Sequence, residues 1–529
     1  MGRLAPTYLP REPHATVLYR LVGEHGAAFL RHAREAYDGP LPRYVEDELR
    51  GYLQCGDFAR GFVHLRCELC AHDVLVPFSC KQRGLCPSCA GRRMAAQAAH
   101  LVDCILPAVR IRQFVLSFPF ELSLLAATKP DVLRAFARIH AEELARHHKR
   151  VAKARGLAGK LHAGAVTFVQ RFGSSLNLHV HLRTCVLDGV SVEHGDDLAF
   201  VPAPPPTRED LAALVDRVAL RVTAWLRKRG YANDDDDAPD SARTFEDVLA
   251  RIGAQRGTVR TVSDDGAPEP GGAHPAPVRD EAVKRQGFNL HASLTIAADD
   301  DLGRERLCRY GLRPAFSLAR LRVLRDGTIS YRVKKSSRRA SRCRLMTPVE
   351  CLARLCALIP PPRYPLTRFH GVLAPRAKLR PRIVPKLPAP KRIDTCPKPA
   401  PREPGERPPP RDRTGPVIPT TLPLSATTLA HGLRGARVPA PNILSAKHLA
   451  RIGGGLLFAA SANVRWATLL ARTFDLDVTT CATCRGRLRV RAVVTDHAVA
   501  RDILEALPTP SARAPPTDDV TYDFDLALA

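Results

Sequence analysis

Apolar residues recur every three to four positions in "ATVLYRLVGEHGAAFLRHA" and "PRYVEDELRGYL", which predicts two or three short helices over residues 12–54. The pattern then changes. "VRIRQFVLSFPF", from Val109, is dense in β-branched and aromatic residues and predicts a strand. "PDVLRAFARIHAEELARHHKRVAKARG" predicts a long basic helix that opens on Pro130-Asp131 and stops at Gly156. "AGAVTFVQRFGSSLNLHVHLRTCVLDGV" predicts two strands joined by a Gly-Ser turn. A second basic amphipathic helix follows over 208–230, and "FNLHASLTIAA" reads as a strand. "DDLGRERLCRYGLRPAF" reads as a short helix with an acidic start, stopped by Gly311 and Pro314. "RLRVLRDGTISYRVKK" reads as a hairpin turning at Asp326-Gly327, and 348–358 as a helix. Strand, helix, strand, strand in that order predicts an α+β fold, an antiparallel sheet covered by helices.

Polar stretches divide the chain. "NDDDDAPD" (233–240) and "SDDGAPEPGGAHPAP" (263–277) read as solvated loops. Residues 374–424 hold fifteen prolines and twelve lysines or arginines, so they read as a linker that packs no core and brushes along a phosphate backbone. Helical patterning returns around "NVRWATLLARTF", and "TTCATCRGRLRVRAVV" then gives a CxxC followed by a strand. The expected organisation is a helical, Cys-rich module (12–105), a sheet-based central domain (106–373), the Pro/Arg-rich linker (374–424) and a small C-terminal region (425–529).

Charge narrows the partners. Lys and Arg total 80 against 53 Asp and Glu, a formal net charge of +27. Such a chain is drawn to polyanions, and nothing in its patterning favours a membrane over DNA or RNA. No stretch reaches the ~18 apolar residues of a membrane span. The N-terminus "MGRLAPTYLPREPHATV" lacks the apolar core of a secretory signal, so the cytoplasm is the expected compartment. There, fifteen cysteines point to metal before disulfides.

"RCELCAHDVLVPFSCKQRGLCPSCAGRR" contains Cys67-x2-Cys70-x15-Cys86-x2-Cys89. Two CxxC knuckles can close a tetrahedron around a structural Zn²⁺ with no position left for substrate. Cys55 and Cys80 are extra thiols, candidates to replace one of the four or to ligate a second ion. Arg92 and Arg93 leave the second knuckle at a plausible phosphate-contacting place. Cys481 and Cys484 form a half site, since no second pair follows them; a degenerate zinc ribbon and unliganded thiols both remain open. Cys104, Cys185 and Cys308 sit in apolar runs and read as small core residues.

His179 and His181 lie two apart in a strand and project to the same face. Such a pair can hold a divalent cation as a Lewis acid for a phosphodiester, and can equally be two satisfied histidines. Tyr310 lies near the end of a short helix among Arg304, Arg306, Arg309 and Arg313. A phenol with a pKa of ~10 is a poor nucleophile until cations favour the phenolate and offset charge at a pentavalent phosphorus. The bland alternative is a tyrosine that anchors its helix to the sheet.

The order of these elements resembles a known family. "FSCKQRGLCPSCAGRRM", "GAVTFVQRFGSSLNLHVH", "CVLDGV", the Arg-Tyr-x-x-Arg-Pro of "RYGLRP", "RFHGVLAP" (368–375) and "TFDLDVTTCATCRGRLRV" are together similar to the rolling-circle HUH transposases of bacterial insertion sequences, the family numbered ninety-one and its common-region relatives. The resemblance covers most of residues 40–500. It implies an enzyme that nicks and rejoins single-stranded DNA at transposon ends and target through a 5′-phosphotyrosine. Tyr310 is then the nucleophile, with Arg309 and Arg306 beside it and Arg313 on DNA. His179 and His181 are then ligands of a catalytic Mg²⁺ or Mn²⁺, and Cys67, Cys70, Cys86 and Cys89 hold structural zinc in a DNA-binding module. It also implies association with the bacterial nucleoid.

Two departures stand out. Arg306 occupies the place, one helical turn before Tyr310, where some relatives carry a second tyrosine; this implies the single-tyrosine branch. In register with "LDGV" the metal pair would fall at 181 and 183, and 183 is Arg. A guanidinium there repels a cation and can bind phosphate directly. Gln170 and His291 are the candidates for a third metal ligand. Two rival readings stay open: a non-catalytic, zinc-dependent DNA-binding derivative, and a plasmid replication initiator or relaxase.

Overall fold

The computed structural model describes residues 12–37, 42–195, 197–231, 282–335, 340–386, 444–462, 465–474 and 476–506, with the backbone of 259–263 and 438–439. The acidic run 233–240, nearly all of the 263–277 loop and the part of the expected linker from 387 to 424 lie outside the described residues.

The N-terminal helices are α1 (Val17–Tyr37) and α2 (Arg43–Leu53). They lead to a hairpin of β1 (Phe62–Cys67) and β2 (Asp73–Pro77), and then to α3 (Pro87–Cys104), which starts on Pro87 at its first turn. Proline is accommodated there because its missing N–H would have no partner within the helix.

The central domain begins with β3 (Ile111–Ser117), α4 (Phe120–Thr128) and α5 (Pro130–Ala154). The chain leaves α5 through Gly156 at φ +74°, a left-handed backbone open to glycine at little cost. Next come β4 (Gly164–Phe172) and β5 (Leu178–Leu187), the two expected strands. Helix α6 (Arg208–Lys228) opens on a capping box: Thr207 Oγ1 accepts from Asp210 N and Asp210 Oδ2 accepts from Thr207 N, both at 3.1 Å. Strands β6 (Val283–Arg285) and β7 (Phe288–His291), helices α7 (Asp301–Leu312) and α8 (Pro348–Leu358), and strand β8 (Thr367–Gly371) complete the set.

These strands form one antiparallel sheet in the order β6-β7-β3-β5-β4-β8, with the short strand Thr295–Ile296 beside β3. All nine residues of β4 are buried, so the in–out alternation of a one-sided sheet is missing. Helices on both faces account for this. On one face Phe114, Val169, Val180, Leu182 and Val186 pack with Val132, Leu133 and Phe136 of α5. On the other, Ile111, Val166, Phe168, Cys185 and Leu187 pack with Leu307 and Cys308 of α7 and with Leu101 and Val102 of α3. Burying one such side chain is worth ~1.5–3 kcal/mol. The α+β, antiparallel expectation therefore holds, with the sheet as the middle of three layers.

Asp188, from "CVLDGV", ties the layers together. Arg112 meets its carboxylate through Nε and Nη2 at 3.1 Å each, and Arg110 Nε lies at 2.7 Å. Burial alone would raise its pKa, but His148 and these guanidiniums hold it below the usual carboxylate range. Ile383, within the expected linker (374–424), is buried in the core cluster of Val372 and Leu373.

The C-terminal segment returns to the rest of the molecule. It contains α9 (Ala446–Gly453), α10 (Trp466–Phe474), β9 (Leu488–Val494) and α11 (His497–Ala506). Strand β9 pairs antiparallel with β1 and makes a sheet in the order β9-β1-β2. Farther along, Arg472 reaches Asp103 of α3 at 2.5 and 3.0 Å and Glu305 of α7 at 3.1 Å. His448 lies between Asp103 (3.0 Å) and Asp301 (3.3 Å).

Candidate active site and metal centres

Six cysteines of the N-terminal module, all but Cys104, and the two of the C-terminal CxxC fall into two clusters of four. One is Cys55, Cys80, Cys86 and Cys89; the other is Cys67, Cys70, Cys481 and Cys484. This corrects the expected set Cys67, Cys70, Cys86 and Cys89, whose two knuckles part company. The reason is the β1–β2 hairpin, which carries the first knuckle at its tip, away from the start of α3 where the second one sits.

In the first cluster Cys55–Cys86 and Cys80–Cys89 are 3.5 Å apart and Cys55–Cys89 3.7 Å, sulfur to sulfur. A zinc–thiolate distance of about 2.3 Å gives tetrahedral edges of about 3.8 Å, so the donor set fits Zn²⁺. Hydrogen bonds from Cys80, Cys86 and Cys89 push the Cys55 thiol far down, while those same contacts to Cys55 push Cys80 and Cys86 far up. A divalent cation would relieve this competition by holding all four as thiolates. Glu48, which the sequence reading missed, sets the loop between Cys80 and Cys86. Its buried carboxylate accepts from the backbone N–H groups of Arg83, Gly84 and Leu85 at 2.8–3.2 Å. Its only advance signal was a glutamate on the buried face of a predicted helix.

The second constellation lies on the α7-facing side of the sheet. Cross-strand pairs Gln170–His181 and Ser117–His181 put these residues on one face, as alternation does for His179, His181 and Arg183. The His179 and His181 rings are 5.4 Å apart. His181 Nε2 lies 3.0 Å from Gln170 Oε1 and Nδ1 lies 3.1 Å from the His179 carbonyl oxygen. Burial and then Arg183 lower the His181 pKa to about 3, so the ring is neutral. Arg183, half-buried, donates from Nε to Gln170 Oε1 (2.8 Å) and reaches Tyr310 Oη (3.4 Å) with Nη2. Its guanidinium lies 4.4 Å from the Tyr310 ring centre, and that of Arg313 lies 4.7 Å away.

Tyr310 is held in place by its backbone. Gln170 Nε2 donates to the carbonyls of Tyr310 (2.8 Å) and Gly311 (3.0 Å), which pins the end of α7 to β4. Gly311 lets the helix come this close, since a Cβ there would fall 2.4 Å from the Phe168 ring. Arg309 and Arg306 are not at the phenol. Arg309 pairs with Glu305 at 2.7 Å, and Arg306 is exposed one turn back. The guanidiniums at Tyr310 are Arg183 and Arg313.

These residues do not fit the expected Mg²⁺ or Mn²⁺. Both nitrogens of His181 lie against oxygens, and the amide oxygen of Gln170 that faces its Nε2 is also engaged by the Arg183 guanidinium. Among the described residues no third His, Cys, Asp or Glu joins the pair in a ligating cluster. His291 is on the same sheet face but two strands away, against Ser293 at 3.0 Å.

A cleft of about 490 Å³ runs from the zinc module to Gln170, Gly311 and Arg313 beside this centre. It is lined by Arg83, Arg93, Arg171, Arg313, Gln170, Phe172 and Phe369 among others, and by no acidic residue. Arg93 braces the cysteine loop by donating to the Lys81 carbonyl at 2.8 Å, and Arg92 is exposed. No described helix is long and apolar enough to cross a membrane.

Two family models match the chain. One, "Transposase zinc-binding domain", of the IS91 type, spans residues 21–118, and the other, "Putative transposase", spans 164–380. No curated protein and no solved structure matches. The zinc-binding match contains the complete Cys55–Cys80–Cys86–Cys89 cluster, whose geometry suits a structural zinc ion, and both matches are those of DNA-handling proteins. With the two matches covering more than half of its length in the expected order, the chain belongs to the IS91-type transposases that carry an N-terminal zinc-binding domain.

Proposed function

We propose that this transposase nicks and rejoins single-stranded DNA through Tyr310, and that Arg183 and Arg313 do the electrostatic work at the reacting phosphate. The carrying observation is the Tyr310 phenol beside two guanidiniums, one of which, Arg313, lines a cleft whose charged residues are all basic. In the forward step a bond forms from Tyr310 Oη to phosphorus and the P–O3′ bond breaks. The phenolic proton leaves, the departing oxygen takes up a proton as a 3′-hydroxyl, and the 5′-phosphate stays on the tyrosine. Rejoining reverses these changes with a new 3′-hydroxyl. Two positive charges beside the phosphate offset the charge that builds up in the transition state. The single tyrosine implies sequential cleavage and rejoining on one nucleophile.

The cleft's arginines suit the phosphates of a DNA strand. Arg92 and Arg313 are the proposed phosphate contacts, and their contribution should weaken with salt. Arg93 acts on DNA through the loop it braces.

The test is an SDS-stable protein–DNA adduct on labelled single-stranded oligonucleotides, with Tyr310→Phe as control. Chelator and added Mn²⁺ are compared with zinc content measured in the same samples. We expect an adduct that Tyr310→Phe abolishes and that persists without added divalent ion. DNA binding with no adduct would favour the non-catalytic reading, for which Arg183 in the histidine register is the specific observation. Rescue by Arg183→His with Mn²⁺ would then identify a lost cation site.

A further inference from the structure

The second cysteine cluster lies partly outside both family matches: Cys67 and Cys70 are inside the first, while Cys481 and Cys484 are beyond the second. We propose that these four residues hold a second structural zinc ion, a zinc ribbon split between the two ends of the chain, which fastens the C-terminal segment to the N-terminal module.

The geometry is that of two matching knuckles. Cys67 and Cys484 are 3.4 Å apart and Cys70 and Cys481 3.6 Å, although 417 and 411 residues separate them in sequence. These distances are far beyond a disulfide bond of about 2.05 Å and near a tetrahedral zinc edge. The backbone repeats itself in the two halves. The N–H of Ala71 donates to the Cys67 carbonyl at 3.2 Å, and the N–H of Arg485 donates to the Cys481 carbonyl at 3.0 Å. Both donors lie four residues after their first cysteine, and both take a left-handed backbone, φ +56° and φ +62°. Non-glycine residues rarely adopt it, so its appearance at the same place in both halves marks a shared requirement. The N–H of Gly486 points at Cys484 Sγ (3.4 Å), a donor that favours a thiolate. A side chain at Gly486 would meet Cys67 Sγ at 2.9 Å, so glycine is what lets the knuckles meet.

The local packing also needs a fastener. The apolar cluster between the C-terminal strand and β1 has Phe62, Val494 and Ala500 as its buried members. Val490 and Val493 of β9 are 61 % exposed. So small a core leaves little to offset the entropy of ordering this segment, and small units of this kind rely on metals or cross-links. A metal held by two pairs more than 400 residues apart would lock the β9–β1 pairing into place. The contacts of Arg472 with Asp103 and Glu305 then give the segment a second hold, on α3 and on the helix that carries Tyr310.

The test uses the full chain. Elemental analysis of protein purified under reducing conditions should give two zinc ions per chain, falling to one in Cys481→Ser/Cys484→Ser and staying at two in Cys104→Ser. Trypsin in the Arg-rich linker should leave two fragments that co-elute on size exclusion in the wild type and separate in the double variant. Two zinc ions in the double variant would overturn the proposal. Should that variant fail to fold, the wild type still decides, because one zinc per chain, or Cys67–Cys484 and Cys70–Cys481 disulfides found by mass spectrometry, would also overturn it.

Discussion

Replacing Arg183 with Met keeps an aliphatic stem in the buried strand and removes the guanidinium alone. The wild-type group makes its shortest bond to Gln170 (2.8 Å), with longer ones to Gln113 and Tyr310 (3.4 Å each). Gln170 would keep the His181 contact at 3.0 Å and its two bonds to the end of α7, so Tyr310 should stay positioned. The loss then falls on the reacting phosphate. Removing one preorganised donor from a developing negative charge typically costs ~3–4 kcal/mol, or ~10²–10³-fold in rate. We expect single-turnover adduct formation to slow by that factor while affinity for the same oligonucleotide changes only a few-fold. Arg183→Lys should fall between, because a point charge replaces a fork that can span phosphate and phenol. Adduct formation by Arg183→Met at the wild-type rate would refute the reasoning. So would a wild-type enzyme that needs Mn²⁺ after its zinc content is shown to be intact; that result would return the cation to His179 and His181.

Three further outcomes are expected. Arg472→Met removes the cation shared by buried Asp103 and Glu305, which keep His448 and Arg309 as partners, and should cost ~1.5–3 kcal/mol, appearing as a lower urea midpoint and easier proteolysis of the C-terminal segment. Gly311→Ala forces a Cβ against Phe168 and should cost ~1–3 kcal/mol of overpacking; because it displaces the end of α7, adduct formation should fall while DNA binding persists. His140 is fully buried with neither ring nitrogen bonded, and burial, then His370, lower its pKa to about 3. The unfolded chain therefore binds the extra proton between about pH 6.5 and 3, and stability is complete above that window and falls through it by ~1.4 kcal/mol per pH unit. His140→Leu should flatten the measured pH slope by that amount, and an unchanged slope would refute the assignment.

Much of this molecule follows from local sequence. Pro130, Gly156, Thr207 with Asp210, and the 348–358 run mark helix ends because capping and backbone freedom are decided within a few residues. The β4–β5 hairpin and the shared face of His179 and His181 follow from alternation. The CxxC spacing announced knuckles, and the motif order announced the family. Partnership between distant segments was decided only by the tertiary structure. Spacing places Cys67 beside Cys70, but the β1–β2 hairpin carries that pair away from Cys86 and Cys89, and β9 brings Cys481 and Cys484 to it. Likewise Arg306 and Arg309 are nearer to Tyr310 in sequence than Arg183 is, yet the helix turns them elsewhere while the packing of α7 on the sheet sets Arg183 beneath the ring. Knuckles, caps and strand faces are set by neighbours along the chain, whereas the fourth ligand of a tetrahedron and the cation beside a phenol depend on which surfaces pack together. A single sequence carries that second kind of information only through the whole fold.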